Sequence, residues 1–555
     1  MIRLIQVVIL ALVGVSSLTF EAQAISKERL TIGISQYPST LHPAFDSMLA
    51  KTYVIAMARR PITAYDPDWK RVCLLCTRLP SLEQGTAALE LTQDGQEGMA
   101  VQYELPPDAV WGDGTPITTQ DVLFSVEMGK NPESGIDNAE QYRRIDRVEI
   151  DGEKRFTLHL NKRSCDYQGL SGLTLLLRHI EKPIFDEGAA DYRRRTAYDT
   201  DSTNPGLWYG PYRIARVTPG QSILLQRNPE WWGKPPYFDE IEIRAIENTA
   251  ALTANLLAGD IDMIAGELGL SVDQALAFQE RYGDDYQIIY KPSLVYEHID
   301  LNLDNPILKD VRVRQALLYG IDRSLITKRL FKGKQPVAQS NVNPLDIRYD
   351  PDIPHYAYDP EKAADLLDQA GWTLGADGIR YKGDDALTLT LQTTAGNKSR
   401  ELVQQVLQNQ WKQIGIDIRI ENEPPRVLFG DTISKRKYPA MAMYAWMSAP
   451  ESVPRTTLHS QEIPREANAW AGQNYPGYDS PEMDEIINGL EFDCEEARQE
   501  QLWRRMQQLY VTDLPVLPLY FRSDTYILPK SLSGLTPTGH QFPSPLWVED
   551  WHLSP

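Results

Sequence analysis

Long apolar runs are missing from this 555-residue chain everywhere but at its start. After residue 24 no stretch is long and apolar enough for a membrane-spanning helix, which takes about 20 such residues. Long runs of Lys or Arg are missing as well, none exceeding three residues: 56 basic residues face 76 acidic ones, for a net charge of -20. Nucleic acid is excluded as a partner on that ground, because contacts to phosphate need clustered cations. Catalytic signatures are equally scarce. There is no Gly-x-Ser-x-Gly elbow, no His-Glu-x-x-His and no Ser-x-x-Lys in a convincing setting, so the marked hydrolase classes drop out. Without a Gly-x-x-x-x-Gly-Lys, or a Gly-x-Gly-x-x-Gly behind a strand, nucleotide cofactors have no visible berth. The eight His are isolated, and the four Cys do not join them in a set of four zinc ligands. No catalytic residue, metal ligand or cofactor site is assigned.

What is present begins with a basic start at Met1 to Arg3, an apolar run from Leu4 to Leu18, and the small-residue triplet Ala22-Gln23-Ala24. These are the parts of a cleavable secretory signal, with cleavage expected after Ala24. No Cys follows at the position a lipoprotein would acylate, so a freely diffusing protein of the periplasm is expected. An even count of Cys (73, 76, 165 and 494) suits an oxidising compartment in which disulfides persist. Cys73 and Cys76 lie in a turn-rich segment rather than at a strand-to-helix turn, so structural bridges, local or between segments, are favoured over a redox pair. Their pairing is left open.

The chain is too long for one core and should divide into two or three compact units. Strand-like and helix-like segments alternate without a short repeat, the pattern of an α/β fold. Strands are expected at 30–34, 101–105, 155–160, 223–226, 241–246 and 516–521. Helices are expected near 50–60, after Thr118, and at 250–258, 311–319, 360–370, 400–413, 481–490 and 495–510. Thr118 with Asp121 three residues on reads as a near capping box. Tyr and Trp gather in loops, where they suit ligand walls or anchor the loops to the core. A glycosidase with two unmarked carboxylates stays open as the enzyme alternative, since such a pair has no local signature.

Several motifs together resemble the solute-binding proteins of the dipeptide and oligopeptide ABC importers, solute-binding protein family 5. They are Leu105 to Val126 with its Trp-Gly-Asp-Gly turn, Gly210-Pro211-Tyr212, and Arg227-Asn228-Pro229 with Trp231-Trp232. Ala258-Gly259-Asp260-Ile261-Asp262 follows, then Asp310 to Ala316 leading into Gly320-Ile321-Asp322-Arg323. Tyr358 to Trp372, Asn474 to Asp484 and Leu514 to Tyr520 extend the likeness to the end. The resemblance implies a periplasmic binding protein type II-like fold, two α/β lobes with a hinged cleft plus an extra inserted domain. Carried onto this chain, residues 1–24 are the signal; 25–70, 191–290 and 515–555 form the first lobe; 71–190 are the insertion; and 291–514 form the second lobe. It implies a monomer that captures a small ligand, most often a short peptide, by hinge closure and delivers it to ABC permease subunits at the inner membrane. Non-peptide solutes (a sugar, an opine or a metal chelate) and a chaperone or sensory role use the same fold.

By the same resemblance, ligand contacts fall at Asp46, Ser47, Asn248, Thr249, His298, Trp446, Met447, Ser448, Trp470, Asn474 and Tyr520. For His298 a packed core role is an equal reading. One position departs from the family pattern. Peptide binders carry an Asp three residues after the Trp, which pairs with the peptide's α-ammonium, and here that residue is Ala449. A buried ammonium without an anion is costly, so a free peptide amine needs another partner.

Overall fold

The computed structural model describes residues 28–554 except 137, 138, 171 and 469. The expected signal segment and its cleavage site lie outside the described residues. Ten strands form the central sheet: β1 (Arg29–Ile34), β2 (Tyr212–Thr218), β3 (Ser222–Arg227), β4 (Glu240–Ala245), β5 (Met263–Ile264), β6 (Tyr286–Leu301), β7 (Thr388–Gln392), β8 (Asp417–Ile420), β9 (Met441–Met447) and β10 (Val516–Pro529). Their order across the sheet is β8-β7-β9-β6-β10-β5-β1-β4-β3-β2. β1 reads as a nearly continuous apolar run because it is parallel to both neighbours, β4 and β5, and buried on both faces.

Two lobes arise because the sheet carries two large apolar clusters. One gathers Leu30, Ile32, Trp111, Phe156, Trp208 and Trp551, the other Ile299, Leu317, Leu389, Trp411, Met441 and Leu517. β6 and β10 run from one cluster to the other. Tyr286 to Pro292 pair antiparallel with Ser523 to Pro529, and Tyr296 to Asp300 pair with Val516 to Phe521. Between Pro292 and Tyr296 the register shifts. Pro292 has no N–H to give, and a bulge bends and unpairs the strand locally, so the two halves of the ladder are coupled most weakly there.

The insertion has its own four-stranded sheet, Ala87–Leu91, Glu97–Glu104, Ile145–Ile150 and Arg155–Leu160. Its helix Thr119–Lys130 starts on a full capping box, with the Thr118 N–H donating to Asp121 Oδ2 at 2.8 Å. Tyr103, Phe124 and Phe156 nevertheless join the first lobe's apolar cluster, so the insertion shares that core. The four Cys form two bridges, Cys73–Cys76 and Cys165–Cys494. The second spans 329 residues of sequence and ties the insertion to the last helical part of the second lobe, beside a Cys165 N–H to Glu491 O bond of 2.9 Å.

Candidate functional site

Of four cavities, two touch β6 and β10 and two lie beside them, between and within the lobes. In the second lobe, a cavity of about 160 Å³ lies against the end of β9 and one face of β6. Period-two alternation puts Tyr296, His298 and Asp300 on that face, and antiparallel pairing sets Trp446 opposite Tyr296 and Tyr444 opposite His298. Met447, Ser448 and Ala449 continue the wall as the chain leaves β9. A gap of about 260 Å³ shares Ala449 with this cavity and faces Tyr65, Arg71 and Asp166 across from Glu451 and Ser452. The gap shares Gln541 and Phe542 with a first-lobe cavity of about 370 Å³ that Ser47, Thr52 and Tyr142 also line.

The fourth and largest cavity, about 590 Å³, takes residues from both lobes and from the connecting strands. Ser35, Glu267 and Ser271 come from the first lobe, Gln335, Asn397 and Arg400 from the second, and Tyr520, Arg522 and Asp524 from β10. Glu297 of β6 is fully buried behind it, accepting from Arg400 Nε at 2.5 Å and from Arg522 Nε at 2.8 Å. Burial raises the Glu297 carboxyl, but the Arg522 and Arg400 guanidiniums outweigh it and hold the group below the usual range.

The eleven residues expected at the ligand do not all meet. His298, Trp446, Met447 and Ser448 share the second-lobe cavity, Ser47 lines the first-lobe one, and Tyr520 lines the largest. His298 is 1% exposed, stacked on Tyr296 with ring centroids 5.0 Å apart, and its Nε2 lies 3.3 Å from Asp300 Oδ1 without the alignment of a hydrogen bond. Met447, at 60% exposed, is free to be covered by a ligand. Asp46 has φ of +50°, accepts from Ser39 Oγ at 2.9 Å and pairs with Arg193, so its carboxylate is engaged. Asn248 is spent on capping the helix Thr249–Ala258, accepting from the Ala250 and Ala251 N–H groups at 2.9 and 3.1 Å. Thr249 Oγ1 accepts from Gln274 Nε2 at 2.9 Å. Asn474 is fully buried and bonds the His459 and Tyr478 backbone, which makes it a loop anchor rather than a cavity wall. Trp470 lines none of these four cavities and sits at a left-handed turn, with φ of +61°.

Among the described residues, the carboxylates of Asp346, Glu451 and Asp300 near Ala449 are all engaged. Asp346 accepts from the Arg348 N–H at 2.9 Å and the Glu451 N–H at 2.8 Å, and the Glu451 carboxylate is paired with Arg348 at 3.0 Å. Asp300 accepts from the Tyr444 hydroxyl. Sequence reasoning missed Glu267, Arg400, Arg522 and Asp524. Arg522 and Asp524 follow Tyr520 at period two, a signal that was available; Glu267 and Arg400 reach the cavity only through the fold.

A two-lobed α/β molecule joined by two strands, with cavities collected at the joint, defines a periplasmic-type binding protein. Residues 88–463 match the family described as bacterial extracellular solute-binding proteins, family 5 Middle, and the chain belongs to that family. The Bacillus subtilis oligopeptide-binding protein AppA is 26% identical over 445 residues, 79% of this chain and 78% of that protein. Among solved structures, the oligopeptide-binding protein of Thermus thermophilus complexed with a pentapeptide superposes with TM-score 0.70 at 28% identity, covering 95% of this chain and 96% of that one. NikA from Brucella suis in complex with Fe(III)-EDTA shares the fold, with TM-score 0.75 at 18% identity over 95% of this chain and 100% of that one. No described helix is long and apolar enough to cross a membrane.

Proposed function

We propose that this chain is the periplasmic capture component of an ABC importer, which closes its lobes round a small ligand and presents it to the permease at the inner membrane. The observation that carries this reading is the gap that faces Tyr65, Arg71 and Asp166 across from Glu451 and Ser452, and that joins the second-lobe cavity at Ala449 to the first-lobe cavity at Gln541 and Phe542. A ligand there makes some of its contacts only when the lobes are together, so binding and closure form one equilibrium. The lobe limits at about 70, 190, 290 and 514, and a monomeric state, belong to the same proposal. Ser47, His298, Trp446, Met447 and Ser448 are the expected contacts kept as walls of this connected space, while Tyr520 lines the separate cavity on the other face of β6. A short peptide is the favoured ligand class, supported by the peptide-binding relatives; the chelate complex of NikA marks the competing class.

The test is a thermal-shift series with short peptides, sugars, opines and metal chelates, followed by recovery of whichever compound stabilises. A ligand at 100 times its Kd adds about 2.7 kcal/mol. Stabilisation by one class, with the compound recovered unchanged, is the expected result. Conversion of the compound would replace the binding reading with an enzymatic one.

A further inference from the structure

The second-lobe cavity offers no free charge. Among the described residues no Lys or Arg lines it, and its two carboxylates, Asp300 and Asp346, accept from the Tyr444 hydroxyl and from the Arg348 and Glu451 N–H groups. An ammonium or a carboxylate entering there would be buried without a counter-charge, which is costly. The walls are aromatic and apolar instead. Tyr296, Trp503 and Tyr510 are buried around the cavity, and the Tyr296 and Tyr510 hydroxyls, 3.0 Å apart, are occupied with each other. Half-buried Trp446 and exposed Met447 stand at its open edge.

Size and two unpaired atoms narrow what fits. The cavity measures about 160 Å³, and an apolar cavity of about 150 Å³ takes a benzene ring. Asn341 Oδ1 lines it and is buried without a hydrogen bond. His298, 1% exposed, lines it as well. Its Nδ1 lies 3.1 Å from the Tyr296 carbonyl oxygen, which can only accept, so Nδ1 is the donor there. Nε2, misaligned with Asp300, is then the ring atom still in need of a partner. A ligand that pairs these atoms removes the penalty of leaving them unpaired. A hydroxyl suits both, because it donates and accepts.

We infer that the second-lobe cavity is a recognition pocket for an uncharged aromatic ring bearing a hydroxyl, a phenol, with the ring packed against Tyr296 and Trp446 and the hydroxyl turned to His298 Nε2 and Asn341 Oδ1. The inference rests on the binding-protein reading and deepens it, because it names the chemical group of the solute that the second lobe holds. Two sources share this chemistry: a tyrosine side chain within a longer ligand, and a free phenolic compound. The pocket meets the gap between the lobes at Ala449, Ser452 and Val453, so the rest of a longer ligand has a path toward the first lobe.

The test uses the full chain with p-cresol, toluene, 4-methylanisole, benzylammonium and benzoate as probes of the pocket, the tripeptides Ala-Tyr-Ala and Ala-Phe-Ala, and glucose and Fe(III)-EDTA as outside classes. Titration calorimetry is expected to show p-cresol binding at least fivefold tighter than toluene or 4-methylanisole, and at least tenfold tighter than the two charged probes. Either source supports the inference: Ala-Tyr-Ala binding tighter than p-cresol and Ala-Phe-Ala assigns the phenol to a longer ligand, and p-cresol binding tighter than Ala-Tyr-Ala assigns it to a free phenolic. Trp446→Ala should weaken p-cresol and toluene alike, whereas Asn341→Ala should at least halve the advantage of p-cresol over toluene. His298→Phe should erase that advantage; its ligand-free melting is measured first because the ring is buried, and if it does not fold Asn341→Ala decides. Toluene matching p-cresol, an advantage unchanged in Asn341→Ala, or p-cresol affinity untouched by Trp446→Ala would overturn the inference. Binding of only a probe without a phenol would overturn it and leave the binding-protein reading intact. Binding of nothing would sink both.

Discussion

Asn474 and Trp446 show what separates a ligand wall from a loop anchor. All the side-chain hydrogen bonds of Asn474 go to backbone within the loop, at 2.8 to 3.0 Å. Asn474→Ala leaves those buried groups unpaired and should cost about 2 to 4 kcal/mol of stability, with Kd unchanged in the folded fraction; calorimetric melting and titration measure both. Trp446 is half-buried, with its ring stacked on Tyr475 at 6.0 Å and its edge at the second-lobe cavity. Trp446→Ala should weaken ligand binding by about 1 to 2 kcal/mol while melting is little changed. Unchanged affinity in the folded variant would remove Trp446 from the site. Both residues were legible as family positions, but their roles were not. Burial and partners decide the role, and a buried Asn and a cavity Trp look alike in a sequence.

The β6 and β10 pair was only partly legible in the sequence. Val516 to Phe521 reads as a strand, yet β10 continues to Pro529 and β6 covers 16 residues through Lys291, Pro292 and Glu297. Charged and Pro residues interrupt the apolar pattern there because the strands leave one core and cross to the other. The buried charges on this pair give a pH signature. The Glu297 carboxyl is held low, so its contribution to stability is present above the usual carboxylate range and is lost as pH falls through its depressed value. Glu297→Gln should flatten that acid limb of the melting-temperature curve.

Glu267 and Asp524 are held high, so their contribution is full below the usual carboxylate range and is lost as pH rises through their raised values. Lys291, Tyr53 and Tyr526 are the other titratable groups facing them. Asp524→Asn should therefore raise the melting temperature of the ligand-free protein near neutral pH. A fall at neutral pH would mean that the carboxylate is stabilised by an interaction the ladder does not contain.

For the whole molecule, the fold class and half of the α-helices among the described residues follow from periodicity and capping, whereas the way the lobes are joined does not. The sequence leaves the Cys pairing open, and the pairing matters for motion. Cys165–Cys494 ties the insertion to the second lobe beside the gap lined by Ser164, Asp166 and Glu491. A bond across the mouth of a hinged cleft restricts opening, and closing a loop of this length also stabilises the fold by up to about 5 kcal/mol in chain-entropy terms. The variant Cys165→Ser with Cys494→Ser should melt lower. Its ligand-free radius of gyration, measured by small-angle scattering, should increase, and ligand should leave faster. An unchanged radius of gyration would mean that non-covalent contacts alone hold the lobes together.

The central claim is that the molecule holds a small solute between its lobes and gives it back unchanged. Native mass spectrometry of the protein purified from its own envelope, followed by denaturation and identification of what is released, tests this most directly. The predicted result is one small molecule per chain, unchanged after prolonged incubation with fresh protein. Release of a converted product would contradict the account and identify Glu267 and Asp524 as the first carboxylate pair to examine for catalysis.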